Sequence, residues 1–232
     1  MFGQQGYLKF LLFFSGILFL FGFFTLCSSI STSSYFTPTD RNHVKQILLD
    51  AIGSKDIQSI HYSSLGLKLL NEAIPKSGDA CKLLLEASQN PKATTETLYL
   101  ITNAYKAIGN CPQPLPVINI VKTLNGVLSS DANIQDLYYA VSGLAALGQK
   151  PQDVSKLVKT VQAIIKKNDS LANLGYLFHI ASFLGNDGAF AFDRIEDAIV
   201  QADEVDSKYL QYEGGLSITG KYKFFFSIKF FI

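Results

Sequence analysis

Three histidines, His43, His61 and His179, are the side chains best suited to bind a transition metal or relay a proton near neutral pH. Metal chemistry needs two or more of them on one helix face, or a histidine beside a carboxylate at helical spacing. No H-x-x-x-H, C-x-x-C or His/carboxylate spacing occurs, so each reads as a surface or satisfied core histidine. The nucleophile elbow G-x-S-x-G, the phosphate-binding P-loop and the dinucleotide-binding G-x-G-x-x-G are also missing. Gly143 and Gly148 form a glycine pair at the wrong spacing, which helix packing explains better. Carboxylates recur at Asp193, Glu196, Asp197, Asp203, Glu204 and Asp206, flanked by Arg194 and Lys208. The expectation there is a solvated helix face; an acidic docking patch is the alternative. No catalytic residue, cofactor site or metal site is predicted.

Two covalent modifications remain. Cys27, Cys81 and Cys111 are the three cysteines, and Cys27 lies in an apolar N-terminal segment. Phe10 to Leu26 is a 17-residue uncharged run preceded by Lys9 and followed by Cys27, Ser28, Ser29 and further serines. A basic flank, an apolar run and a small-residue exit describe a secretory signal peptide, assigned to residues 1–34 with its Ser-rich exit. An uncleaved membrane anchor is the competing reading, at the short end of what spans ~30 Å of hydrocarbon. Cleavage leaves Cys81 and Cys111, a disulfide candidate in an oxidising lumen; two small buried hydrophobes are the alternative. Asn168-Asp169-Ser170 is an N-glycosylation sequon beyond Lys166-Lys167, although Asp in the middle makes a poorer acceptor context.

The body that must carry these residues is 48% hydrophobic and 17% charged, a composition that folds. Net charge is +1; losing Lys9 leaves 19 basic residues against 19 acidic ones. No Lys/Arg cluster exceeds two in a row, so nucleic-acid binding is not expected. Four segments align on one another: Ile60 to Asn71, Leu98 to Gly109, Leu137 to Gly148, and Leu174 to Gly185, with starts 38, 39 and 37 residues apart. Each has an aliphatic start, Tyr or Leu two positions later (Tyr62, Leu100, Tyr139, Tyr176) and Asn or Gly at the eleventh. That last position predicts a left-handed helix exit. Small residues in mid-segment (Ser63, Ser64, Gly66; Ala104; Ala140, Ser142, Gly143; Ala181) mark these as the inner helices.

Amphipathic stretches alternate with them: Val44, Ile47, Leu48 and Ile52; Val117, Val121, Leu124 and Leu128; Val154, Leu157, Val161 and Ile165. The predicted fold is all-α, an α/α helical-hairpin repeat array (a solenoid or superhelix of ~38-residue period) over residues 35–219, preceded by the signal-peptide helix. No sheet is expected in residues 40–219. Residues 220–232 form a divergent tail rich in Phe, Lys and Ile.

The block Leu137 to Gly148 resembles a helix of the ribophorin II family. So do Ile195-Glu196-Asp197 followed by Tyr209-Leu210-Gln211-Tyr212-Glu213-Gly214-Gly215-Leu216, the start around Phe36-Thr37-Pro38-Thr39, and the Cys81/Cys111 pair. The resemblance covers residues 35–219. It implies a non-catalytic accessory subunit of the endoplasmic-reticulum oligosaccharyltransferase, which moves a preassembled glycan from a dolichol carrier to Asn in Asn-x-Ser/Thr. It further implies a lumenal location, other transferase subunits and nascent glycoproteins as partners, and membrane association through the complex or through an uncleaved N-terminal segment. The tail departs from the family. Gly220-Lys221-Tyr222-Lys223 is what a splice donor read through would encode, so a truncated form with a retained intron or misplaced exon boundary is expected, and Tyr209 to Ile218 are expected to be loosely held. The rival readings are a secretory-pathway helical-repeat adaptor outside this complex and an α/α enzyme.

Overall fold

The computed structural model describes residues 37–220, except 76, 129–130, 206–208 and 216. The signal-peptide expectation for residues 1–34 and the tail from residue 221 onward lie outside the described residues. The chain divides into two compact units at Val44/Lys45. Of the first unit, the described part is the opening of helix α1 (Pro38–Ile52), where the Thr37 hydroxyl accepts from Asp40 N–H at 3.1 Å, capping the helix start.

The second unit runs from the rest of α1 through helices α2 (Ile57–Leu69), α3 (Gly78–Ser88), α4 (Thr95–Ile108), α5 (Val117–Leu128), α6 (Ile134–Ala146), α7 (Val154–Lys167) and α8 (Leu171–Leu184). A 3₁₀ segment, Gly185–Arg194, continues α8 and leads into the short α9 (Ile195–Ile199). Capping side chains set four of the starts: Asp56, Thr94, Asn133 and Asp153 each accept from the N–H three residues on. Most exits follow the predicted chemistry. Asn71, Gly109 and Gly148 hold positive φ, at 55°, 76° and 70°, a region open to glycine and tolerated by asparagine. Gly185 also has positive φ, 60°, but its ψ of −123° lies outside the left-handed helical region, a correction to the expected exit there.

Helices α2, α4, α6 and α8 pack each on the next, with α3, α5 and α7 laid against this row. The protein is all-α in character, with helical-hairpin packing. Amphipathicity explains which helices lie outside: α7 buries Leu157, Val161 and Ile165 and turns its lysines to solvent. The row helices are buried more nearly all round, as α4 is through Leu98, Leu100, Ile101, Thr102 and Ala104. Small residues at the crossings make this possible. A Cβ on Gly143 would stand 2.9 Å from Leu124 Cδ1, and one on Gly66 2.9 Å from Leu48 Cδ1. Each glycine thus seats a leucine of the covering helix. Full burial of a leucine contributes about 1.5–3 kcal/mol, and Leu124 is fully buried.

Two expectations for the C-terminal part are corrected. Residues 40–219 do contain sheet: β1 (Ala202–Val205) pairs antiparallel with β2 (Tyr209–Tyr212), Ala202 opposite Tyr212 and Val205 opposite Tyr209. The acidic stretch is not one helix face either. Asp193 lies in the 3₁₀ segment, Glu196 and Asp197 in α9, and Asp203 and Glu204 on β1, where the extended backbone breaks helical spacing. Tyr212 is a core residue at 2% exposure, and its N–H donates to Thr219 Oγ1 at 3.1 Å.

Candidate functional site

Helix packing at a spacing of 38 or 39 residues brings one column of aromatic side chains together. His61, Tyr99 and Tyr138 occupy the same position in successive row helices, and their rings meet at 5.1 Å and 5.5 Å between centroids. Tyr138 continues the contact to Tyr176 at 5.3 Å and to His179 at 5.4 Å on α8. Tyr139 stacks on Tyr99 at 4.8 Å with ring planes 28° apart. Tyr62, 56% exposed, stands edge-on to His61 at 5.0 Å. Offset and tilted aromatic pairs of this kind are worth about 0.5–1.5 kcal/mol beyond their buried area.

Polar contacts hold the rings in place. The Tyr99 and Tyr138 hydroxyls share a hydrogen bond of 3.1 Å. Tyr139 OH donates to Glu96 Oε1 at 3.1 Å and accepts from Gln135 Nε2 at 2.7 Å. Asn103 Nδ2 donates to Tyr99 O at 3.0 Å and to Ser142 Oγ at 3.4 Å, again across a 39-residue step. Burial pushes the Tyr99 hydroxyl well above the ordinary phenol value and raises that of Tyr138. Tyr139 is pushed up to about 12, by burial first and then by the Glu96 carboxylate against the lowering effect of Gln135. Tyr176 is raised by burial and by the same carboxylate. These hydroxyls stay protonated at neutral pH, so the face is aromatic and polar, with Glu96 supplying a negative charge.

His61 is fully buried; its Nδ1 donates to the Leu100 carbonyl at 3.0 Å, and its Nε2 has no protein partner. Desolvation lowers its pKa from 6.5, opposed by the Leu100 carbonyl. The folded state therefore binds this proton less readily than the unfolded chain. His61 imposes no cost above pH 6.5, and stability falls as pH drops from there toward the lower folded-state value. Thermal denaturation of the wild type is expected to show this loss between pH 7.5 and 5.0. His61→Gln, whose amide can donate without titrating, should show a shallower slope; equal slopes would place the acid sensitivity elsewhere.

The other sequence candidates are scattered. His43 sits on α1 in the first unit, while His61 and His179 lie on the first and last row helices, with α4 and α6 between them. Among the described residues no group of three or more His, Cys, Asp or Glu could hold a metal ion. Cys81, on α3, is joined to Cys111, in the loop after α4, with 2.03 Å between sulfurs and 5.6 Å between Cα atoms. Asn168 caps the end of α7 and is exposed; its Oδ1 accepts from Ser170 N–H at 3.0 Å. Arg194 bonds Asp169 at 2.8 Å and Asp197 at 2.5 Å, tying the sequon's middle residue to the start of α9.

Sequence reasoning identified Tyr62, Tyr139 and Tyr176 as repeat positions but missed the neighbouring column of His61, Tyr99 and Tyr138. A signal was present: those three share one offset in the aligned segments, and Asn103, Ser142 and His179 share another.

Fold and site together define an all-α helical-hairpin protein with an aromatic face along its row helices. The sequence matches the family model described as the ribophorin II N-terminal domain over residues 36–222. The chain belongs to the ribophorin II family, accessory subunits associated with the oligosaccharyltransferase of the endoplasmic reticulum.

Proposed function

We propose that this chain is a non-catalytic lumenal scaffold of the oligosaccharyltransferase, holding transferase subunits together or presenting glycoprotein substrates to them. The family match across residues 36–222 is the observation that carries this reading. The chemistry of the chain agrees with a lumenal site. Its N-terminal apolar run suits a signal peptide, and the Cys81–Cys111 bond suits an oxidising compartment. Tagged full-length chain should co-purify with the catalytic transferase subunit from solubilised endoplasmic-reticulum membranes. Recovery of other secretory-pathway proteins without that subunit would favour an adaptor outside the complex.

Lumenal residence also makes Asn168 a modification site. Its side chain is exposed at a helix end, where a glycan meets no packed neighbour. The secreted-pathway form should gain mobility on glycosidase treatment, and Asn168→Gln should migrate at that position without treatment. Identical mobility before and after treatment would remove the glycan from the proposal.

A further inference from the structure

The tyrosine face carries a charge and a length that together specify a ligand. Along the row, the partly exposed rings of Tyr99, Tyr138 and Tyr176 succeed one another in two steps of 5.5 and 5.3 Å, with the His61 ring buried behind the first of them. That distance is covered by about three residues of extended polypeptide at ~3.3 Å each. Tyr62 is exposed at one end, and Tyr139 and Tyr176 are half-buried, so ring surface is available to a ligand. The charged group among them is Glu96, exposed, bonded to the Tyr139 hydroxyl and close enough to Tyr176 to raise it as well.

Electron-rich ring faces beside a carboxylate attract a cation twice over, through the ring quadrupole and through direct ion pairing. Arginine suits this geometry best, since its planar guanidinium can lie on a ring while its edge donates to a carboxylate. A neutral sugar could stack on the rings but would leave the Glu96 charge unused, and a phosphate-bearing ligand would be repelled by it. Asn103 engages its Nδ2 within the face, and its Oδ1 can accept from a peptide N–H.

We propose that this face binds an extended segment of another protein through an arginine laid on the Tyr99–Tyr139 stack, its guanidinium paired with Glu96. The proposal rests on the chemistry of this chain and not on the assembly role. Loss of co-purification with the transferase leaves it standing, and its own failure leaves the scaffold reading standing.

The test titrates the full chain, labelled in its tyrosine rings, with a capped octapeptide of Gly and Ser bearing one central Arg. A second peptide carries citrulline, the uncharged isostere, and mannotriose serves as a carbohydrate probe. The Arg peptide should shift the Tyr99, Tyr139 and Tyr176 ring signals and leave Tyr105, which lies off the face, unmoved. Citrulline should weaken binding about tenfold, as expected for loss of one cation–π contact and its ion pair. Glu96→Gln should weaken the Arg peptide about fivefold. Because Glu96 is exposed, that variant is expected to keep the wild-type melting temperature. Equal binding of the two peptides overturns the proposal. So does the absence of any ring shift at millimolar peptide, or a mannotriose response indifferent to Glu96→Gln.

Discussion

Gly188→Ala is expected to destabilise the chain by about 3 kcal/mol or more, the upper end of what overpacking a filled interior costs. Gly188 lies in the 3₁₀ segment that folds back beside the end of α8. A Cβ there would stand 2.0 Å from the Ala181 carbonyl oxygen, 2.7 Å from its carbon and 2.9 Å from its Cα. These are backbone atoms of a helix and cannot rotate aside as a leucine tip can. Relief requires the segment to lift from α8, which uncovers Ala191 and loosens the packing that leads to Ala198 and Tyr212. For a domain of this size the loss corresponds to about 6–12 °C in melting temperature. Gly126→Ala is the matched control. Nothing lies within 4 Å of a Cβ on Gly126, in the last turn of α5. There alanine should stabilise by at most about 0.5–1 kcal/mol, through helix propensity alone. A melting temperature unchanged by Gly188→Ala would show that the 3₁₀ segment is not packed on α8 as described.

Gly143 behaves differently from Gly188, and the contrast shows which parts of the fold could be read in advance. At Gly143 the obstacle is a leucine methyl, at Gly188 a peptide group. The first is a repeating feature: small residues in mid-helix and positive φ at the eleventh position recur at the same offsets, so the row helices and most of their exits were legible. The second occurs once, where the hairpin pattern gives way to the 3₁₀ segment, α9 and the β1–β2 pair. Four-residue strands carry too little alternation to register as a period, and Asp203 and Glu204 on β1 resemble a solvated helix face when read at helical spacing. The hairpin is held by tertiary contacts such as buried Tyr212, which no local pattern announces. The aromatic face was half legible for a similar reason. Tyr62, Tyr139 and Tyr176 recur at one offset, but the ring contacts of Tyr99 with Tyr138 and of Tyr138 with Tyr176 depend on how adjacent helices are rotated. Spacing specifies which helices are neighbours; side-chain packing specifies which faces meet.

The Cys81–Cys111 bond is the covalent tie that spans such neighbours, and removing it is the second large effect. It joins α3 to the loop beyond α4, across a sequence separation of 30 residues. Closing a loop of that length restricts the unfolded chain by about 3–4 kcal/mol. Cys81 is itself buried at 2% exposure beside the core that contains Leu84 and Leu98. Serine there would add an unsatisfied hydroxyl, so the paired replacement Cys81→Ala and Cys111→Ala separates the lost tie from a new polar cost. That variant should lose about 3–4 kcal/mol relative to the oxidised wild type, a fall of roughly 7–15 °C in melting temperature. Reduction of the wild type should produce a loss of the same order, and reoxidation should restore it. In an unreduced digest the two cysteines should appear in one linked peptide. The α3–α4 hairpin itself carries Tyr99 and Glu96 of the tyrosine face, both on α4. If the bond also holds α4 in place against α3, the reduced chain should bind the Arg peptide less tightly well below its unfolding temperature. Unchanged binding in the reduced chain would confine the role of the bond to stability.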